Sequence, residues 1–146
     1  MKKYILANGA FDVLHTGHIA LLNYAKSLGD YLLVALDTDE RITEAKGYSR
    51  PVNNQLIRGT IMENLKAVNE VLFFSSDEEL VNIIQTYKPD IRVIGSDWKG
   101  KTVVGEEFCK EIVYYDRMND ESTTKTLDDY IEKRKLIDEW KDNYFL

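Results

Sequence analysis

The sequence predicts an α/β protein with a five-stranded parallel sheet and helices on both faces. Three observations predict it. Five apolar runs of four to six residues alternate with longer segments of helical periodicity. One of these runs, Tyr31–Leu36 (YLLVAL), is apolar at every position, as expected of a strand covered on both sides. No repeat or low-complexity linker interrupts the alternation, so successive units should pair in parallel through right-handed crossovers.

The elements follow in order. Tyr4–Asn8 is a short apolar strand. His18–Leu28 reads as a helix with Ile19, Leu22, Ala25 and Leu28 on one face, closed by Gly29 as a C-cap. After Tyr31–Leu36, the polar stretch Asp37–Val52 carries Gly47 and Pro51 and reads as a long functional loop. Asn54–Val68 reads as a helix with Ile57, Ile61, Leu65 and Val68 on one side. Val71–Phe74 is a strand, and Glu78–Tyr87 a helix that must end before Pro89. Ile91–Gly95 and Ile112–Tyr115 are strands, and a long helix runs from Thr123 to Asp142 with an apolar face that drifts after Ile131. Residues 1–146 are expected to form one domain. From about residue 133 the helix is an extension whose Trp140, Tyr144 and Phe145 could pack locally or on a partner subunit.

Composition narrows the function classes. The 146 residues carry a net charge of −6, with 44% apolar and 30% charged residues, as in ordinary globular domains. That balance argues against a broad nucleic-acid or anionic-membrane surface, so an anion site must be local. Cys109 is the only cysteine, which excludes an intrachain disulfide and a cysteine-built zinc site and suits a reducing cytoplasm. No run approaches ~18 apolar residues, and neither a signal peptide nor a transmembrane helix is read.

Sites in such sheets lie beyond the carboxyl ends of the strands. That places Ala7–His18, Asp37–Arg50, Gly95–Lys101 and Asp116–Thr124 on one rim. In NGAFDVLHTGHIALL, Asn8 to Leu22, both histidines of the chain flank Gly17 where a strand becomes a helix. Free N–H groups and the dipole at a helix start beginning at Thr16 or Gly17 favour an anion, and His15 and His18 would add two donors. The plainer reading has one histidine capping the helix and the other packing on the surface. A metal is the weaker reading, because no third ligand stands nearby.

Three further stretches join that rim. Lys46, Arg50 and Arg58 could converge on a triphosphate, or belong to a solvated loop. In Arg117–Lys125, one of Ser122, Thr123 and Thr124 should cap the last helix and the others could bind an anion there, with Asp120 and Glu121 opposing that role. In Gly95–Lys101 (GSDWKGK), Trp98 could stack on a base or cover the loop.

With these residues in view, NGAFDVLHTGHIALL resembles the HxGH signature of the cytidylyltransferase-like nucleotidyltransferases, and ESTTK their second signature at a late helix start. The resemblance implies a Rossmann-like sheet and transfer of a nucleoside monophosphate from an NTP to a phosphorylated small molecule, with pyrophosphate released by direct in-line attack. It implies Mg²⁺ travelling with the triphosphate and a homodimer, and the charge balance adds that no nucleic acid or membrane partner is expected. His15, His18, Lys46 and Thr123 are then the expected catalytic residues. Asn8, Gly9, Ala10, Phe11 and Gly17 would bind the nucleotide together with His18, Arg117, Ser122, Thr123 and Thr124. Asp12, Asp37, Arg50, Arg58, Asp97 and Trp98 would serve the substrate side.

Two subfamilies compete. RMNDESTT and DWKGK resemble glycerol-3-phosphate cytidylyltransferases, although Asp120 and Glu121 replace that group's Gly-Ile pair. KGYSRPVN (Lys46–Asn53) and VVGEE (Val103–Glu107) resemble the adenylyltransferase domain of ADP-heptose synthesis. The balance of motifs favours CTP, with ATP and heptose 1-phosphate as the alternative. A non-catalytic nucleotide sensor would show degraded histidines or missing basic residues, and neither is seen.

Overall fold

In the computed structural model, residues 1–117 and 122–145 are described. Five strands form one parallel sheet in the order β3-β2-β1-β4-β5. They are β1 (Tyr4–Gly9), β2 (Tyr31–Asp37), β3 (Glu70–Phe74), β4 (Ile91–Gly95) and β5 (Ile112–Tyr115). The chain builds outward from β1 through β2 to β3, then crosses back to place β4 on the other side of β1. The order therefore reverses at β1, and a crevice opens beyond the carboxyl ends of β1 and β4.

Helices cover both faces, as the strand patterning requires. α1 (Thr16–Ser27) and α3 (Gln55–Glu63) contribute Leu22, Ala25 and Met62 to a core with Ile5, Ala7, Val34 and Val93. On the opposite face α4 (Asp77–Tyr87) seals Leu6, Leu33 and Ala35 with Leu80 and Ile84. β2 is buried at five successive positions, Leu32 to Leu36, which explains its unbroken apolar run.

Two elements depart from the sequence expectation. The stretch expected as a loop, 37–52, holds a helix, α2 (Asp39–Lys46), capped by the Thr38 hydroxyl on the Arg41 N–H. Ile42 is its only buried residue, so it shows no apolar stripe.

The next helix, α3, stops at Glu63, short of Val68, and turns a different face inward. Arg58, Gly59 and Met62 are buried, whereas Ile57 and Ile61 are 46% and 37% exposed. Gly59 explains the rotation: a Cβ there would lie 2.7 Å from the Phe73 ring, so only glycine lets the helix approach the sheet this closely.

The last helix, α5 (Thr123–Tyr144), buries no residue. Its terminal aromatics pack on each other, with Trp140 5.5 Å from the Tyr144 ring and 5.1 Å from that of Phe145. Asp120 and Glu121, the residues opposing an anion site before this helix, lie outside the described residues.

Candidate active site

The turn between β1 and α1 is tight enough that Phe11 and Val13 both take left-handed backbone angles, φ 48° and 49°. Side chains on either side hold it there. Asp12 is 1% exposed, and its carboxylate accepts the N–H groups of Val13, Val52 and Asn53. Arg50 approaches the same carboxylate at 3.6 Å. The Asp12 carbonyl accepts the Thr123 hydroxyl at 2.6 Å. Asp12 lies in the cleft wall, yet its charge is directed at the loop after α2 instead of outward.

The histidines follow this turn. His15 is the N-cap of α1, and its Nδ1 accepts the Gly17 N–H at 3.1 Å. His18 answers with its own Nδ1, which accepts the His15 N–H at 3.3 Å. This is a capping box built from two imidazoles, stacked with ring centroids 3.7 Å apart. Capping and ligand binding, set as alternatives on sequence grounds, are compatible here. With both Nδ1 atoms acting as acceptors, a neutral ring carries its proton on Nε2. The Gly17 N–H expected to meet an anion is turned to His15 instead. Burial lowers the His18 pKa from 6.5 to about 4, and the neighbouring His15 and Arg117 push the same way.

Around the pair opens a cleft of about 820 Å³, the size of a nucleotide-scale site. Asn8, Gly9, Ala10 and Phe11 form its floor at the end of β1. Lys46 enters at the end of α2, its pKa lowered by burial and by Arg50. On the far rim Arg117 pairs with Asp97 at 3.3 Å, and Trp98 stands 52% exposed with Lys101 over its ring. Ser122 caps α5 on the Lys125 N–H, and Thr123 and Thr124 line the wall beside it. Asp37 also lines the cleft; burial raises its pKa against the opposing Arg41 guanidinium at 2.8 Å.

One candidate is placed elsewhere. Arg58, expected to face the acceptor, is 1% exposed and turned into the fold. It donates to the carbonyls of Asn53 and Ala10 and to the Asp39 carboxylate. Conversely, Arg41 and Arg92 line the cleft although the sequence reading passed over both. Arg41 was hidden in an apparent loop, and Arg92 inside the apolar strand IRVIG.

No group of three or more His, Cys, Asp or Glu that could hold a metal ion occurs among the described residues. Of the four described carboxylates lining the cleft, three are engaged, Asp12 by amides, Asp37 by Arg41 and Asp97 by Arg117, and Glu44 is the fourth. This donor set does not fit a protein-built Mg²⁺ site. No helix among the described residues is long and apolar enough to cross a membrane.

Comparison with known proteins gives the family of this chain. The bifunctional protein HldE of Campylobacter fetus is 44% identical over 126 residues, which is 86% of this chain and 27% of that protein. HldE of Helicobacter hepaticus is 39% identical over 135 residues, 92% of this chain and 28% of the relative. The chain thus spans about a quarter of the length of these curated relatives. Among solved structures, a lipopolysaccharide core biosynthesis protein from Thermoplasma volcanium superposes with a TM-score of 0.64 at 27% identity. That match covers 80% of this chain and all (100%) of the other. A pantoate–β-alanine ligase from Francisella tularensis, at 16% identity and a TM-score of 0.56, shares the fold alone. Residues 6–141, from the first strand well into the last helix, match the cytidylyltransferase-like family, and the chain belongs to that family of nucleotidyltransferases.

Proposed function

We propose that this chain transfers AMP from ATP to a sugar 1-phosphate of the heptose type, giving an ADP-sugar and pyrophosphate. The observation that carries the reaction class is the stacked His15–His18 pair, whose Nδ1 atoms both cap α1 and so fix the proton-bearing edges on Nε2. The choice of ATP and heptose over the CTP reading favoured on sequence rests on the relatives. They are HldE proteins, the group towards which KGYSRPVN and VVGEE pointed.

An acceptor phosphate oxygen attacks the α-phosphorus, and the bond from that phosphorus to the bridging oxygen breaks with its electron pair on pyrophosphate. No covalent enzyme intermediate is needed, so the protein's work is positioning and charge stabilisation. Neutral His18 donates its Nε2–H to oxygens whose charge grows in the transition state. Lys46 and Arg50, arriving from α2 and the loop after it, serve the phosphates. Thr124 and Arg117 meet the nucleotide from the opposite wall. Mg²⁺ would accompany the NTP as part of the substrate and lower its phosphate charge, with Lys46 and Arg50 supplying the protein's own share of that neutralisation. The chain works in the cytoplasm as a homodimer, which sedimentation of the purified protein would test.

A second reading keeps one specific observation on its side. Arg117, a feature of the glycerol-3-phosphate cytidylyltransferase motif, does line the cleft. Pyrophosphate release separates the readings when ATP and CTP are each offered with heptose 1-phosphate and with glycerol 3-phosphate. Turnover confined to ATP with the heptose supports the proposal. Turnover with CTP and glycerol 3-phosphate replaces it, and nucleotide binding without turnover in any pair leaves a sensor.

A further inference from the structure

Arg92 is the exception among the arginines. The chain has six, and five of them stand within 4.0 Å of an aspartate: Arg41, Arg50, Arg58, Arg117 and Arg134. Arg92 has no carboxylate at that distance among the described residues, and it is only 2% exposed. Burying a guanidinium without a counter-charge is costly, and a fold retains such an arrangement where something else supplies the charge.

Its position says what that could be. Arg92 pairs with Leu6 in the β1–β4 register, so its side chain rises on the α4 face of the sheet, the face opposite α1. There it lines the cleft from the side away from His18. Two donors are already committed to orientation. Nε donates to the Asn8 side-chain oxygen at 3.0 Å, and Nη1 donates to the Val104 carbonyl. Gly105, next to Val104, takes a left-handed φ of 76° and packs so tightly on Ile84 that a Cβ would lie 2.7 Å from its Cδ1, which holds this loop in place. The guanidinium plane is therefore fixed before any ligand arrives, and Nη2 has no protein acceptor among the described residues. A rigidly held positive charge with Nη2 left to donate suits one anionic oxygen of a phosphomonoester.

We propose that Arg92 binds the phosphate of the acceptor, on the opposite side of β1 from the histidines that receive the triphosphate. The inference rests on the transfer reaction proposed above and adds the residue that selects an anionic acceptor. Two anions must come close for the transfer, and Arg92 neutralises one of them while Asn8 and Val104 keep it from collapsing onto the other.

Arg92→Gln and Arg92→Lys test this through steady-state pyrophosphate release with ATP and heptose 1-phosphate. The expected result for Arg92→Gln is a rise of about 30-fold in KM for the acceptor, in line with the loss of a charge-assisted bond. KM for ATP should stay within about twofold, and Arg92→Lys should recover part of the acceptor affinity. A purely structural role predicts instead that kcat falls and both KM values rise together, with no rescue by lysine. That outcome overturns the proposal.

A second arm needs no turnover. Thermal melting with saturating ATP and increasing inorganic phosphate should raise the wild-type Tm by about 3 °C at ten times the phosphate Kd. Arg92→Gln should show no such rise, and an equal rise in both proteins counts against Arg92. If the wild type is silent with every NTP and acceptor pair, the transfer reading fails while the phosphate titration still decides the site.

Discussion

The Thr123 hydroxyl donates to the Asp12 carbonyl oxygen at 2.6 Å, joining residues 111 positions apart. Asp12 in turn holds the N–H groups of Val52 and Asn53. One residue of the β1–α1 turn thus fixes both the loop that follows α2 and the start of α5. Three separate segments of the cleft wall are thereby tied to one anchor.

Thr123→Val keeps the side-chain shape and removes the donor. It should cost about 1 kcal/mol of stability, the worth of one neutral hydrogen bond. Because the α5 start carries Thr124 into the cleft, KM for the nucleotide should also rise, while Thr123→Ser should leave both quantities near wild type. Melting curves and steady-state kinetics check this, and an unchanged nucleotide KM in Thr123→Val would remove Thr123 from the site's support.

For His18 the capping and chemical roles can be separated. Glutamine at the N3 position of a helix can also accept the N-cap N–H, so His18→Gln should hold the α1 start together. His18→Ala loses that contact and should melt lower, by about 1 kcal/mol. Both should lose turnover by about 10²- to 10³-fold, the scale of one missing transition-state donor. A glutamine variant turning over near the wild-type rate would show that His18 caps the helix and does nothing more.

His18 also predicts the direction of an acid limb. Its pKa is about 4 in the fold against 6.5 unperturbed. Above pH 6.5 it is neutral folded or unfolded and contributes nothing. As pH falls from 6.5 towards 4 the unfolded chain takes up the proton first, so the folded state loses stability across that window. Carboxylates titrate in the lower part of the same range, so the readout is the wild-type Tm change minus that of His18→Gln. The wild type should fall more steeply between pH 6.5 and 4, and parallel curves would contradict a depressed His18.

How much of this was legible in the sequence depends on the range of the interactions. The five strands showed themselves because buried strands must be apolar locally, as Leu32 to Leu36 are. The histidine pair was legible because a strand-to-helix junction and a three-residue spacing are local features. α2 was not, since a helix anchored by Ile42 alone carries no periodic stripe. The inward face of α3 was misread because its interior is filled by Arg58 and Gly59, residue types that look like surface. Arg92 was passed over for a related reason: within IRVIG nothing distinguishes an arginine that reaches a cleft from one at a solvent edge. Contacts such as Thr123 to Asp12 leave no local trace at all.

The reassignment of Arg58 gives the sharpest contrast between sequence and structure. Its Nε, Nη1 and Nη2 donate to Asn53 O at 3.0 Å, Ala10 O at 2.8 Å and the Asp39 carboxylate at 2.9 Å. These bonds tie α3 to the β1 turn and to the start of α2. Arg58→Met removes all three while filling much of the same volume, leaving two carbonyls and a carboxylate short of a donor. The expected loss is about 3 kcal/mol, at the upper end of single substitutions. Activity should decline in step with the folded fraction. At a temperature where the variant is folded, the acceptor KM should stay within about threefold of wild type, because Arg58 lies outside the cleft wall. A large rise in acceptor KM with an unchanged melting temperature would return Arg58 to the substrate side, where its sequence position had placed it.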